Sequence, residues 1–187
     1  IFLYKAKDGD VFSRRSLNSL SLLQEELQTE RYKNTENGPV PLSHIVEIKS
    51  ILNASYEEVN GDVLKYRKFI GNNIPQEKAQ LEILRRQASN HRDYPGLYFS
   101  KDFKFGIIHI RTDFGTIPEG EETSQDQLDE FESEDEEIGT DFIEMEDQDI
   151  VFKATNNSEY ADFMNDVEKV LNRPKYTKDL EFHSIGF

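Results

Sequence analysis

Between Glu119 and Asp149 the sequence carries 16 acidic residues and no basic one. Mutual repulsion and the cost of burying charge keep such a run out of any core. A fold must therefore be assembled from the residues on either side. The chain has 187 residues, with 22 Lys and Arg against 37 Asp and Glu. Setting the 16 aside leaves 21 acidic residues and 22 basic ones, a flank close to neutral. The expectation is a single domain over 1–187, interrupted by an acidic, flexible insert at 115–149, and not a protein that is acidic throughout.

The flanks are read from periodicity. Residues 1–7 read as a strand. Ser13 fits the N-cap of a helix over 14–30, in which Leu17, Leu20, Leu23 and Leu27 make one apolar stripe. Turn residues mark 31–42 as a loop, and 43–51 follows as a strand with Val46 and Ile48 in its apolar run. Residues 56–70 are read as a short helix ended by Gly71-Asn72-Asn73. Pro75 is placed in the first turn of a helix burying Leu81, Leu84 and Ala88, closed by Pro95-Gly96. A hairpin follows: Leu97-Tyr98-Phe99, a turn at Ser100-Lys101-Asp102, and a long strand Phe103–Thr112. Beyond the acidic run, Ile150–Phe152 reads as a short strand. Tyr160, Phe163, Met164, Val167, Val170 and Leu171 then follow helical spacing over 158–171, with Pro174 past the end. The last strand is 179–186. The order implies an α+β fold, a split βαβ, ferredoxin-like sandwich with a mixed sheet and helices on one face. In it the first strand starts and the last strand ends at the same edge.

Several of these segments resemble one family. Asp10–Ser13 (DVFS) leads a Leu-rich helix, and Ser43–Asn53 reads SHIVEIKSILN. Tyr94–Ile110 reads YPGLYFSKDFKFGIIHI, and the chain closes on LEFHSIGF. In that order they resemble the extramembrane loop of resistance-nodulation-division (RND) exporters, in the mycobacterial-lipid-exporter-like (MMPL) branch. The acidic segment and the Phe187 after Gly186 depart from the family's pattern. The resemblance implies a periplasmic loop domain between the first two transmembrane helices of a proton-driven exporter in the bacterial inner membrane. Its partners would be the remainder of the transporter, including its second periplasmic loop, other subunits, and an apolar or amphipathic substrate. It implies no enzymatic activity, and the family's proton-relay carboxylates lie in membrane helices outside this chain. Strand-like sequence up to both ends (Ile1–Tyr4 and Phe182–Phe187) agrees with a piece excised from a longer protein.

Composition narrows the alternatives. Without Cys there is no disulfide and no cysteine-ligated metal, and no apolar run approaches the ~20 residues of a membrane span. His44, His91, His109 and His183 are scattered, although His109 and His183 could meet across a sheet; no metal-ligand spacing is visible. The acidic run lacks the spacing of a Ca²⁺ loop. No nucleophile elbow or phosphate-binding Gly loop occurs, so no catalytic, cofactor or metal residue is assigned and no cofactor is expected. Gly106 reads as a bulge or a close packing point. The sequence shows no concentrated positive patch, which argues against nucleic acid, while Arg14, Arg15, Lys65, Arg67, Lys68, Arg85 and Arg86 offer basic surface that the acidic segment could contact, as it could a partner's. The alternative to an exporter domain is a soluble binding or adaptor module whose acidic segment docks a basic partner.

Overall fold

The computed structural model describes residues 1–35, 38–60, 63–114 and 157–184. The chain divides into two units. The first (Ile1–Thr112 with Asn157–Phe187) holds every element below; of the second, Asp113–Asn156, only Asp113 and Phe114 fall within the described residues. The acidic run and the strand expected at Ile150–Phe152 lie outside the described residues.

The first unit is α+β. Strand β1 (Phe2–Ala6) leads to helix α1 (Arg14–Glu30), and then to a minimal ladder of β2 (Asn34–Thr35) with β3 (Gly38–Pro39). A 3-10 turn at Pro41–His44 precedes β4 (Ile45–Lys49), followed by β5 (Ser55–Asn60), β6 (Val63–Lys68) and α2 (Lys78–Asn90). Strand β7 (Phe105–Thr112), α3 (Asn157–Leu171), α4 (Pro174–Thr177) and β8 (Leu180–Ser184) complete it. The main sheet has the order β4-β7-β1-β8. All three of its pairings are antiparallel, so the mixed sheet expected from sequence is corrected.

Helix α1 forms where its stripe predicts. Ser13 accepts a hydrogen bond from the Ser16 amide at 3.1 Å, satisfying one of the free N–H groups at the helix start. Leu17, Leu20, Leu23 and Leu27 are all fully buried. In α3, Phe163, Val167, Val170 and Leu171 are buried, Met164 is half-buried and Tyr160 is exposed at the stripe's end. The two helices lie against each other. Strand β1 alternates with period two: Phe2, Tyr4 and Ala6 enter the core, while Leu3 is half-buried and Lys5 exposed. Pro174 does not merely follow α3; it opens α4, where a proline's missing N–H costs nothing.

Three expectations are corrected. Residues 56–70 are not helical: β5 and β6 pair as an antiparallel hairpin, with Tyr56 opposite Arg67 and Glu57 opposite Tyr66. The Gly-Asp dipeptide at 61–62 in the sequence, between runs containing Tyr and Val, is the hairpin signal that the local charge obscured. Helix α2 begins at Lys78 and ends at Asn90, short of Pro95-Gly96; Ala88 is buried, but Leu81 and Leu84 are only half-covered. Val46 is exposed, because the register shifts between Ile45 and Glu47 and the bulge turns it outward.

The hairpin expected before β7 is present only in part: Leu97 and Tyr98 lie in a turn rather than a strand, and β7 begins at Phe105, not Phe103. Phe99 bridges Gly106 across a turn in which the Phe103 amide donates to the Ser100 carbonyl at 2.8 Å. Phe103 takes φ 61°, a left-handed conformation that is unusual for a bulky side chain. It is held there by its ring, stacked on Phe99 at 5.5 Å and edge-on to Phe12 at 5.9 Å, under the Arg85 guanidinium 4.0 Å away. Gly106 is a close packing point: the Tyr4 ring lies where a Cβ would stand, with Cζ 2.1 Å from that position.

Candidate functional site

Three polar or aromatic features stand out on the first unit. The first is a seam joining α1 to the α4–β8 segment. Asp179 is buried, accepting from the Ser19 hydroxyl at 2.5 Å and from the Arg15 guanidinium. Burial would raise its carboxyl, but these donors outweigh burial and hold it below the ordinary value. About two turns along α1 from Ser19, Glu26 accepts from Arg173 at 2.5 Å, from Lys175 at 2.6 Å and from the Tyr176 hydroxyl. Its carboxyl is likewise held low against burial, and burial with the Glu26 hydrogen bond pushes the Tyr176 phenol upward. Both carboxylates are occupied by internal donors, so the seam ties elements together.

The second feature is an aromatic wall where the β5–β6 hairpin meets residues 91–99. Tyr94 is 2% exposed; its hydroxyl donates to the Ser55 carbonyl at 2.6 Å, and burial pushes it up to about 12. His91 stacks on it at 3.6 Å, while Phe69 and Tyr98 meet it edge-on at 5.2 and 5.5 Å. A concavity of about 400 Å³ opens beside these rings, with Leu97 and Glu57 on its rim.

The third is a cleft of about 320 Å³ between α1 and the 50–53 and 68–72 turns. Its wall is built from the Ser50–Asn53 turn, closed by the Asn53 amide donating to the Ser50 carbonyl at 3.2 Å. The Leu52 carbonyl accepts from Ile70 and Gly71, at 3.2 and 2.7 Å, which pins the second turn over the first. Gly71, at φ +71°, permits that bend. On the helix side, Gln24 is 6% exposed and accepts from the buried Ser50 hydroxyl at 2.5 Å.

The residues singled out from sequence are not brought together. His109 and His183 lie on β7 and β8, with β1 between them. His109 contacts the Leu97 carbonyl at 2.8 Å, and His183 lies 3.7 Å from Glu181. Among the described residues no group of three or more His, Asp or Glu is placed to hold a metal ion. The basic side chains are dispersed over α1, β6 and α2: Arg15 serves Asp179, Arg67 lies 4.6 Å over Tyr56, and Arg85 lies 3.4 Å from Asp10. The Gln24–Ser50 pair was not foreseen, although a polar residue flanked by Leu23 and Leu27 on a buried stripe is the signal that would have found it. No helix among the described residues is long and apolar enough to cross a membrane. No protein family, curated protein or solved structure matches this chain.

Proposed function

We propose that this chain is a non-enzymatic extramembrane domain of an RND-type exporter, the periplasmic loop between its first two transmembrane helices in a bacterial inner-membrane protein. The fold that accompanies this reading is the split βαβ, ferredoxin-like sandwich. Its support is the strand order: β1 lies inside the sheet, α1 connects it to the edge strand β4, and α3 precedes β8 on the other edge. The β5–β6 hairpin and α2 are then additions between the second and third strands.

The observation that carries the reading is the register of the first and last strands. Phe2 lies opposite Ser184, so β1 enters the sheet and β8 leaves it side by side. A domain suspended between two membrane-crossing segments needs both connections on one surface, and this sheet supplies it. The domain's part is conformational. Tilting about two neighbouring attachment points opens or closes a path for an apolar or amphipathic substrate, while protons move through helices elsewhere in the protein.

The test uses the full reading frame. An apolar stretch of about 20 residues is expected before Ile1 and another after Phe187. Lys101→Cys, an exposed position in a segment without native cysteine, should react in intact cells with a membrane-impermeant maleimide. A frame lacking either stretch, or labelling only after lysis, overturns the exporter reading in favour of a soluble adaptor.

A further inference from the structure

We infer that the cleft between α1 and the 50–53 and 68–72 turns binds a small zwitterion carrying an amide group, of the size and chemistry of a dipeptide. The inference does not depend on the exporter reading. At about 320 Å³ the cleft lies at the small end of ligand sites. Leu52 is the single apolar side chain on its lining, which disfavours a lipid tail or an aromatic ring. The charged lining groups are one of each sign, Glu25 on α1 and Lys68 at the end of β6. A ligand carrying one charge of each sign can pair with both.

Four carboxamides share the lining with the two charges: Gln24, Gln28, Asn53 and Asn72. A carboxamide offers a donor and an acceptor in one plane, the complement of a peptide group. Two of the four are held in place before any ligand arrives. Gln24 is fastened to Ser50, and Asn53 is fixed at both ends, accepting from the Ser50 amide at 2.8 Å and donating to the Ile48 carbonyl at 2.7 Å. Only one end of the Gln24 amide is used by Ser50, so the other is left for the cleft that the residue lines. Preorganised amides of this kind lose little freedom on binding. In the arrangement we propose, a ligand ammonium meets Glu25, its carboxylate meets Lys68, and its peptide group meets Gln24 and Gln28.

The experiment titrates the 187-residue chain, labelled with ¹⁵N, with glycylglycine, with N-acetylglycinamide, in which both charges are blocked, and with maltose. Saturable shifts confined to the side-chain amides of Gln24, Gln28, Asn53 and Asn72 are expected for glycylglycine, with the blocked compound binding at least tenfold more weakly. Glu25→Gln and Lys68→Gln, both exposed positions that leave the core intact, should each weaken glycylglycine about fivefold or more. Arg86→Gln on α2 should change nothing. The proposal is overturned if glycylglycine gives no saturable shift, if the blocked compound binds equally well, or if maltose alone binds.

Discussion

Replacing Gly106 by alanine tests the packing at the centre of the sheet most directly. The added Cβ would stand 2.1 Å from Tyr4 Cζ, 2.2 Å from its hydroxyl oxygen and 2.4 Å from Cε1. Ordinary carbon contacts are about 3.5–4.0 Å, so the ring must retreat by more than about 1 Å. It has nowhere to go: Tyr4 is 1% exposed, between Phe2 and Ala6 on its own strand and opposite Phe182 on β8, whose ring centre is 6.5 Å away. Overpacking a filled core costs about 1–3 kcal/mol and sometimes more. Alanine recovers about 0.5–1 kcal/mol over glycine within a strand. A contact this close belongs at the top of that range, so a net loss of about 2–3 kcal/mol is expected. For a chain of this length that corresponds to a melting temperature roughly 5–10 °C lower. Urea unfolding followed by far-ultraviolet circular dichroism measures it. The companion measurement is a double-mutant cycle. Tyr4→Ala alone should cost about 3–5 kcal/mol, yet with the ring gone Gly106→Ala should cost almost nothing, giving a coupling of about 2 kcal/mol. A single Gly106→Ala variant within about 0.5 kcal/mol of the parent, or a cycle that closes additively, would refute the reasoning.

Three further outcomes follow from the same structure. The Tyr4 hydroxyl is buried without a hydrogen-bond partner among the described residues, and burial pushes its pKa up. Tyr4→Phe should therefore be neutral or stabilise by about 1 kcal/mol; a loss above about 1 kcal/mol would reveal a partner. Arg85→Ala removes both the contact over Phe103 and the 3.4 Å pair with Asp10, and should cost about 1 kcal/mol in urea unfolding; no measurable change would mean that neither contact is formed in solution. Asp179 and Glu26 are both held low in the fold despite burial. Their stabilisation is then complete above the unfolded carboxyl values near about pH 4 and is lost as pH falls from there through the lower folded values. Asp179→Asn should flatten the dependence of the urea midpoint between about pH 5 and pH 3, and parallel curves for parent and variant would contradict the assignment.

What could be read from sequence was set by whether local spacing decided the outcome. The stripe Leu17-Leu20-Leu23-Leu27 fixes α1, because a helix bearing it has one face to bury and a serine ready to cap it. Phe163, Val167 and Val170 do the same for α3. The β5–β6 segment reads as a helix because Glu57, Lys65, Arg67 and Lys68 resemble a solvated helix face, and in a two-stranded ladder exposed charges stand on both strands without offence. Leu81 and Leu84 fit a helical stripe, but α2 has too little of the molecule beside it to cover them. The Tyr4–Gly106 contact joins residues far apart in the chain and depends on the register of β1 against β7, which no window of sequence contains. The cleft escaped for the same reason. Gln24 could be seen on α1, but Ser50, Lys68 and Asn72 reach it only after two turns are stacked.

The interior position of β1 also sets a schedule for synthesis. Its neighbours are β7, about a hundred residues downstream, and β8, whose Ser184 pairs with Phe2. At about 5–20 residues per second, a ribosome needs roughly ten to forty seconds between making the first strand and making the last. Throughout that interval one flank of Phe2–Ala6 offers unsatisfied amides and carbonyls to any passing strand. Translation thus leaves β1 waiting for its second partner among whatever holds nascent chains apart, and commits closure of the sheet to the emergence of β8.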